Sequence, residues 1–152
     1  MLSPALFQWA FFFVLFAVAL RWGAAPERIA SGVYVGLILI DVAYHEIFGP
    51  GYEYWRIDLG HFIFNALALA VLVALALKAN RFYPLWLAAF QTISVIGHAT
   101  RGFVPPEFGR PYMILTIGPS YLATAALCAG IWMHVRRVRK SGPYRSWHRS
   151  SG

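Results

Sequence analysis

The sequence predicts an all-α membrane protein: a bundle of five transmembrane helices, N-terminus outside and C-terminus cytoplasmic. Three observations predict it. First, hydrophobic residues make up 59% of the 152 and charged residues 12%, about half the charged share of a soluble domain. A chain this short cannot bury so much apolar surface in a water-soluble core, so lipid must cover part of it. Second, turn and breaker residues divide the chain into five apolar runs, each near the ~20 residues that cross a hydrocarbon core about 30 Å thick. Third, ten of the thirteen Lys and Arg fall on one side of the layout those runs create.

The first run is 4–20, PALFQWAFFFVLFAVAL, with Gln8 its one polar interior residue. The residues before it carry no Lys or Arg, and Arg21 and Trp22 follow its core directly, so it reads as a retained helix and not a signal peptide. Pro26 suits the first turn of a second helix over about 27–48. In it, Gly32 and Gly36 form a G-x-x-x-G step, a pattern that lets a neighbouring helix approach closely. Tyr34, Leu37, Asp41, His45 and Phe48 share the roughly opposite face. Asp41 interrupts the apolar run, where a charge costs about 2.5–3.5 kcal/mol on insertion scales.

Gly49-Pro50-Gly51 ends that helix, and Tyr52, Tyr54 and Trp55 follow as an interfacial aromatic cluster. A third helix over about 57–77 carries Asp58, His61 and Asn65 on one stripe, then becomes uniformly Ala, Leu and Val. The short turn 78–81 makes the third and fourth helices antiparallel neighbours. The fourth, about 84–100, carries Gln91, Ser94 and His98 at the same spacing, and is short and polar enough to be tilted or partly re-entrant. The loop 101–110 has two prolines and two glycines and cannot be one helix. The fifth helix, about 111–135, is kinked at Gly118-Pro119, with Thr116, Ser120 and Thr124 bonding back to the helix around the kink. Residues 1–140 form the bundle, and 141–152 form a disordered basic tail.

Arg21, Arg28, Lys78, Arg81 and the six cations after residue 135 share one side, while Arg56, Arg101 and Arg110 lie on the other. The positive-inside rule puts the richer side in the cytoplasm, and the tail against anionic lipids there. Charge that flanks apolar runs is topogenic and excludes a nucleic-acid groove, despite the net charge of +7. The lone Cys128 permits no intramolecular disulfide and no cysteine-based zinc cage, and it reads as a small packing residue.

This orientation gathers Asp41, His45, Asp58, His61, Asn65, Gln91, Ser94, His98 and Ser120 toward the outer leaflet. The expected assembly is an outward-open polar pocket above an apolar plug. Three functions suit it. In the first, Asp41–His45 and Asp58–His61 satisfy one another as interhelical glue, in an accessory or structural subunit with a membrane-protein partner or a second copy. In the second, the histidines and carboxylates, Glu46 included, hold a metal ion, ligate a haem or relay protons.

The third comes from resemblance. Trp55-Arg56 followed by His61-Phe62-Ile63-Phe64-Asn65 resembles the W-R…H-x-x-x-N helix of rhomboid intramembrane proteases. Gly118-Pro119-Ser120 resembles their G-x-S motif. The resemblance implies Ser120 as nucleophile, with His61 and Asn65 at an oxyanion. Tyr121 stands where that family has Gly, and no later helix supplies a base histidine. Separately, the stretch from Lys78-Ala79-Asn80-Arg81-Phe82-Tyr83-Pro84-Leu85-Trp86 through Phe90-Gln91 to His98 resembles small polytopic inner-membrane proteins of alphaproteobacteria. That resemblance implies a bacterial inner-membrane location and no activity.

Overall fold

The computed structural model describes residues 4–49, 59–100, 103 and 109–147. It is all-helical, with five α-helices among them: α1 Pro4–Trp22, α2 Ala25–Phe48, α3 Leu59–Lys78, α4 Tyr83–Thr100 and α5 Gly109–Ser141. Each helix packs on its neighbour in sequence, α1 closes the ring onto α5, and α2 also touches α5 across it. The helix ends therefore gather at two poles. One pole holds Glu27 and Arg81; the other holds Asp41 and His61.

Local chemistry sets the boundaries. Pro26 lies in the first turn of α2, where its missing N–H costs nothing. The Glu27 carboxylate reaches back to accept from the Ala24 N–H at 3.0 Å, one half of a capping box. Gly49, at φ 79°, ends α2 with its N–H on the His45 carbonyl. Helix α4 runs unbroken over 18 residues. Helix α5 runs 33 residues through Pro119, about 50 Å at 1.5 Å per residue, so it extends past its apolar run into basic last turns. Ser120 and Thr124 donate to the carbonyls of Ile117 and Ser120 at 2.6 and 2.8 Å, local bonds of the kind that relieve a proline kink.

The core is a column of small and branched residues: Phe12, Leu15 and Ala19 of α1, Ala30 of α2, Leu72 and Leu75 of α3, Leu87 of α4, Ala123, Leu127 and Ile131 of α5. Phe12 stacks on Tyr34 with ring centroids 4.8 Å apart. Cys128 packs, half-buried, against this column. Outside it the pattern is inverted relative to a soluble protein. Phe7, Leu39, Leu67, Leu77, Ile96, Ile114 and Trp132 all face outward and exposed. Helices α2 and α3 are long and apolar enough to cross a membrane, and Leu6–Trp22 is a shorter apolar helix.

The close approaches fall elsewhere than the G-x-x-x-G step. A Cβ on Gly36 would meet nothing within 4 Å, and one on Gly32 would make ordinary contact with Phe16. One tight position is Gly130 of α5, where a Cβ would sit 2.5 Å from the Tyr83 ring. That glycine lets α4 start directly against α5.

The Glu27 pole was not legible as a site. Glu27 is fully buried, and Arg81, from the α3–α4 turn, donates through Nε to Glu27 Oε1 at 3.1 Å. The same guanidinium donates to the Asn80 carbonyl at 3.0 Å and contacts His134 Nδ1 at 3.3 Å. Arginine has no acceptor, so His134 Nδ1 accepts, from Arg81 and also from the Tyr144 hydroxyl at 3.0 Å. Tyr144 belongs to the segment expected to be a disordered tail from 141 onward. Its residues 142–147 make specific contacts. Gly142, at φ 75°, turns the chain back, and Asn80 donates its N–H to the Ser146 carbonyl at 3.0 Å. Arg81 and Arg137 both lie over the Tyr144 ring, at 4.2 and 4.1 Å. A turn-rich basic segment finds structure here because the ring meets two cations at once. Residues 148–152 lie outside the described residues.

Removing one partner of a buried ion pair strands the other charge, at about 3–5 kcal/mol. Arg81→Met and Glu27→Gln are each expected to lower unfolding stability on that scale. The double variant is expected to lose less than the sum, as read from thermal or denaturant unfolding of the purified chain. Additive losses would show that the two groups are not coupled.

Candidate functional site: a histidine–aspartate centre above an amide-lined cavity

The opposite pole is built from the last turns of α2, the first turns of α3 and the last turn of α4. Asp41 and His45 are one turn apart on α2. His45 Nδ1 lies 3.0 Å from the Asp41 carbonyl. A carbonyl can only accept, so Nδ1 carries a proton, and in the neutral ring the lone pair is on Nε2. The Asp41 carboxylate turns toward α3 instead. Its Oδ1 lies 2.6 Å from His61 Nε2, against 3.9 Å from His45 Nδ1.

This corrects the expected pairing. Asp41–His45 is a loose contact, and Asp41–His61 is the tight one, between helices. Asp58, the partner expected for His61, lies outside the described residues, as do Trp55 and Arg56. Glu46 is exposed on α2. One donor atom from each of Asp41, His45 and His61 lies within 4.8 Å of the others. The three are partly exposed, at 35, 39 and 21%, so the centre opens outward. His98 of α4 stacks on His61, with ring centroids 6.0 Å apart and planes 20° apart.

An aromatic wall holds the centre in place. Tyr44 meets His45, His61 and Phe64 edge to face, at 5.8, 5.5 and 5.7 Å between centroids. Gly60 permits this, because a Cβ there would sit 2.7 Å from the Tyr44 ring. Sequence periodicity did not reveal Gly60 or Tyr44. The signal available was a glycine one residue before a helical histidine, which is too common to single out.

One turn deeper the chemistry changes from ionisable to neutral. Asn65 Nδ2 donates to the His61 carbonyl at 2.8 Å, and Asn65 Oδ1 accepts from Gln91 Nε2 at 2.8 Å. Gln91 and Ser94 are buried. On the far side, Gln8 Nε2 donates to Ser120 Oγ at 2.6 Å, joining α1 to α5. These five groups, with Tyr34, line a cavity of about 170 Å³. The buried Tyr34 hydroxyl has no protein partner among the described residues. Below the cavity, Leu72, Leu87 and Leu127 close the bundle.

The nine residues predicted from sequence thus divide into two tiers. Asp41, His45, His61 and His98 form the outer one; Asn65, Gln91, Ser94 and Ser120 form the inner one; Asp58 is outside the described residues. Gln8 and Tyr34 join the inner tier without having been singled out. The outer tier offers two imidazoles and a carboxylate within 4.8 Å of one another, a spacing that suits one small cation. The Ser120 hydroxyl is engaged by Gln8 and by its own helix at Ile117. Among the described residues its hydrogen bonds run to an amide and a backbone carbonyl and to no base of the kind that a serine nucleophile uses.

Gly60→Ala is expected to displace Tyr44 and cost about 1–3 kcal/mol, the usual range for overpacking. Gly36→Ala, with open space at its Cβ, is expected to be neutral or slightly stabilising through helix propensity. Unfolding curves of the two variants side by side check the contrast. Comparisons with family models, with curated proteins and with solved structures found no match to this chain.

Proposed function

We propose that the chain is a five-span protein of a bacterial inner membrane, N-terminus outside and C-terminus cytoplasmic, which holds a divalent transition-metal ion at Asp41, His45 and His61. It acts there as an accessory subunit whose metal clamps α2 to α3 near the outer surface. The membrane reading is supported by the apolar outward faces of all five helices and by the ten-to-three division of Lys and Arg.

One observation carries the metal: three donor atoms, two imidazole and one carboxylate, converge within 4.8 Å from two helices. Zinc-class ions bind such donors at about 2.0–2.2 Å, so side-chain rotation alone would draw the set together. With the His45 Nδ1 proton held by the Asp41 carbonyl, Nε2 of the neutral ring is the nitrogen left to ligate a metal. Two imidazoles and a carboxylate leave a fourth position open, either for water or for His98. The donor set favours zinc, copper or iron over calcium or magnesium, which prefer oxygen.

The short Asp41–His61 bond supports a second reading, in which the dyad passes a proton between α2 and α3. One titration separates the two. The chain is stripped with chelator in detergent and titrated with Co²⁺, watching the visible bands of nitrogen-ligated cobalt. One equivalent is expected to bind, and His61→Ala is expected to weaken it at least about tenfold. Acidification is expected to release the metal, because a protonated imidazole cannot ligate. His134→Ala, at the opposite pole, is expected to bind as the parent does. Absent cobalt bands, or equal binding by parent and His61→Ala, would overturn the metal and leave the proton dyad.

A further inference from the structure

The Glu27 pole carries a second cavity, distinct from the centre above. It is about 400 Å³ and lies between the start of α4 and the last turns of α5. Its two walls differ in chemistry. One is cationic: Arg137 and Arg81, with the Tyr144 ring beneath both guanidinium groups. The other is apolar and open: Phe82, Leu85 and Met133 are 83, 51 and 47% exposed.

The charge here is unbalanced. Glu27 neutralises Arg81 from the buried side and does not line the cavity. Arg137 is exposed and has no carboxylate within ion-pair distance among the described residues. Arg136, Arg139, Lys140 and Arg145 lie close by in sequence, with no acid among them. Two guanidinium groups on one ring repel one another unless an anion approaches.

We propose that this groove binds one anionic glycerophospholipid, its phosphate held by Arg137 beside Tyr144 and its upper acyl chain lying on Phe82, Leu85 and Met133. A free anion would use the cationic wall and leave the apolar wall wet. A neutral lipid would use the apolar wall and leave Arg137 without a counter-charge. Only an amphiphile with a negative head fits both. Tyrosine and arginine over apolar residues is also the composition of a membrane interface, where the head group sits. The inference rests on the membrane orientation proposed above, and on nothing about the metal centre.

The test uses the full chain in detergent, with phosphatidylglycerol and phosphatidylcholine of matched acyl chains added together, and native mass spectrometry as readout. One phosphatidylglycerol is expected to be retained preferentially. Arg137→Gln is expected to weaken it about fivefold, the effect of one interfacial cation. Met133→Trp, which fills the apolar wall without changing charge, is expected to weaken it as well. Both positions are exposed, and unchanged unfolding curves establish that the variants fold. Equal retention of the two lipids would overturn the proposal. So would an equal loss with Arg139→Gln, which would mean diffuse attraction, or displacement by millimolar inorganic phosphate, which would mean a free-anion site. Carbonate washing of membranes is scored separately. Release by that wash would refute the membrane reading itself, whatever the lipid result.

Discussion

A carboxylate taken out of water needs a partner that no solvent can replace, and the Glu27–Arg81 pair meets that requirement at the centre of one pole. Glu27 is fully buried and the Arg81 side chain is 6% exposed. Burying two charges costs several kcal/mol each unless their remaining donors and acceptors are met. Here they are largely met, by the Ala24 N–H for Glu27 and by Asn80 and His134 for Arg81. The groups that meet them come from α2, the α3–α4 turn, α5 and the returning 142–147 segment. Four parts of the chain are therefore tied at one point. Gly130 adds to this by letting Tyr83 enter beside the pair.

The two poles contrast in how far their polar groups are satisfied. At the Glu27 pole Glu27 and Arg81 neutralise each other and the histidine is held as an acceptor, which suits a structural knot. At the Asp41 pole the side chains are partly exposed, and His45 retains a lone pair that its own helix does not use. Between them the Asn65–Gln91 and Gln8–Ser120 bonds are neutral amide and hydroxyl contacts. Neutral donors are cheaper to bury than ions, and so the deeper tier holds amides where the outer tier holds titratable groups. The same gradient explains why the core below the cavity is mostly aliphatic, with Leu72, Leu75, Leu87, Leu127 and Ile131.

Much of the fold was legible from the chain. The apolar runs and their breakers placed four helices within about two residues at each end and the start of α5 as well, because a helix boundary depends on local chemistry such as Pro26 and Gly49. The last turns of α5 escaped this reading, since Arg and Lys are good helix formers whose helicity needs no apolar stripe. The G-x-x-x-G step misled for a related reason. It marks a surface without side chains, and only the neighbour's position decides whether anything uses that surface. Tyr83 came to Gly130 and Tyr44 to Gly60; nothing came to Gly36.

By itself, the sequence determined the helical class, the order of the elements and which side chains share a face, since all three follow from a 3.6-residue period and from residues that end it. It also determined that Asp41, His61 and His98 fall at similar depth, because depth is a count along each helix. Only the tertiary structure decided partners. It gave Asp41 to His61 and not to its own neighbour His45. It gave Glu27 to Arg81, 54 residues away, and it folded Tyr144 back against Arg81 and Arg137. A charge is satisfied by whatever lies within about 3 Å of it, and that distance is a property of packing between helices, which no spacing along one helix contains.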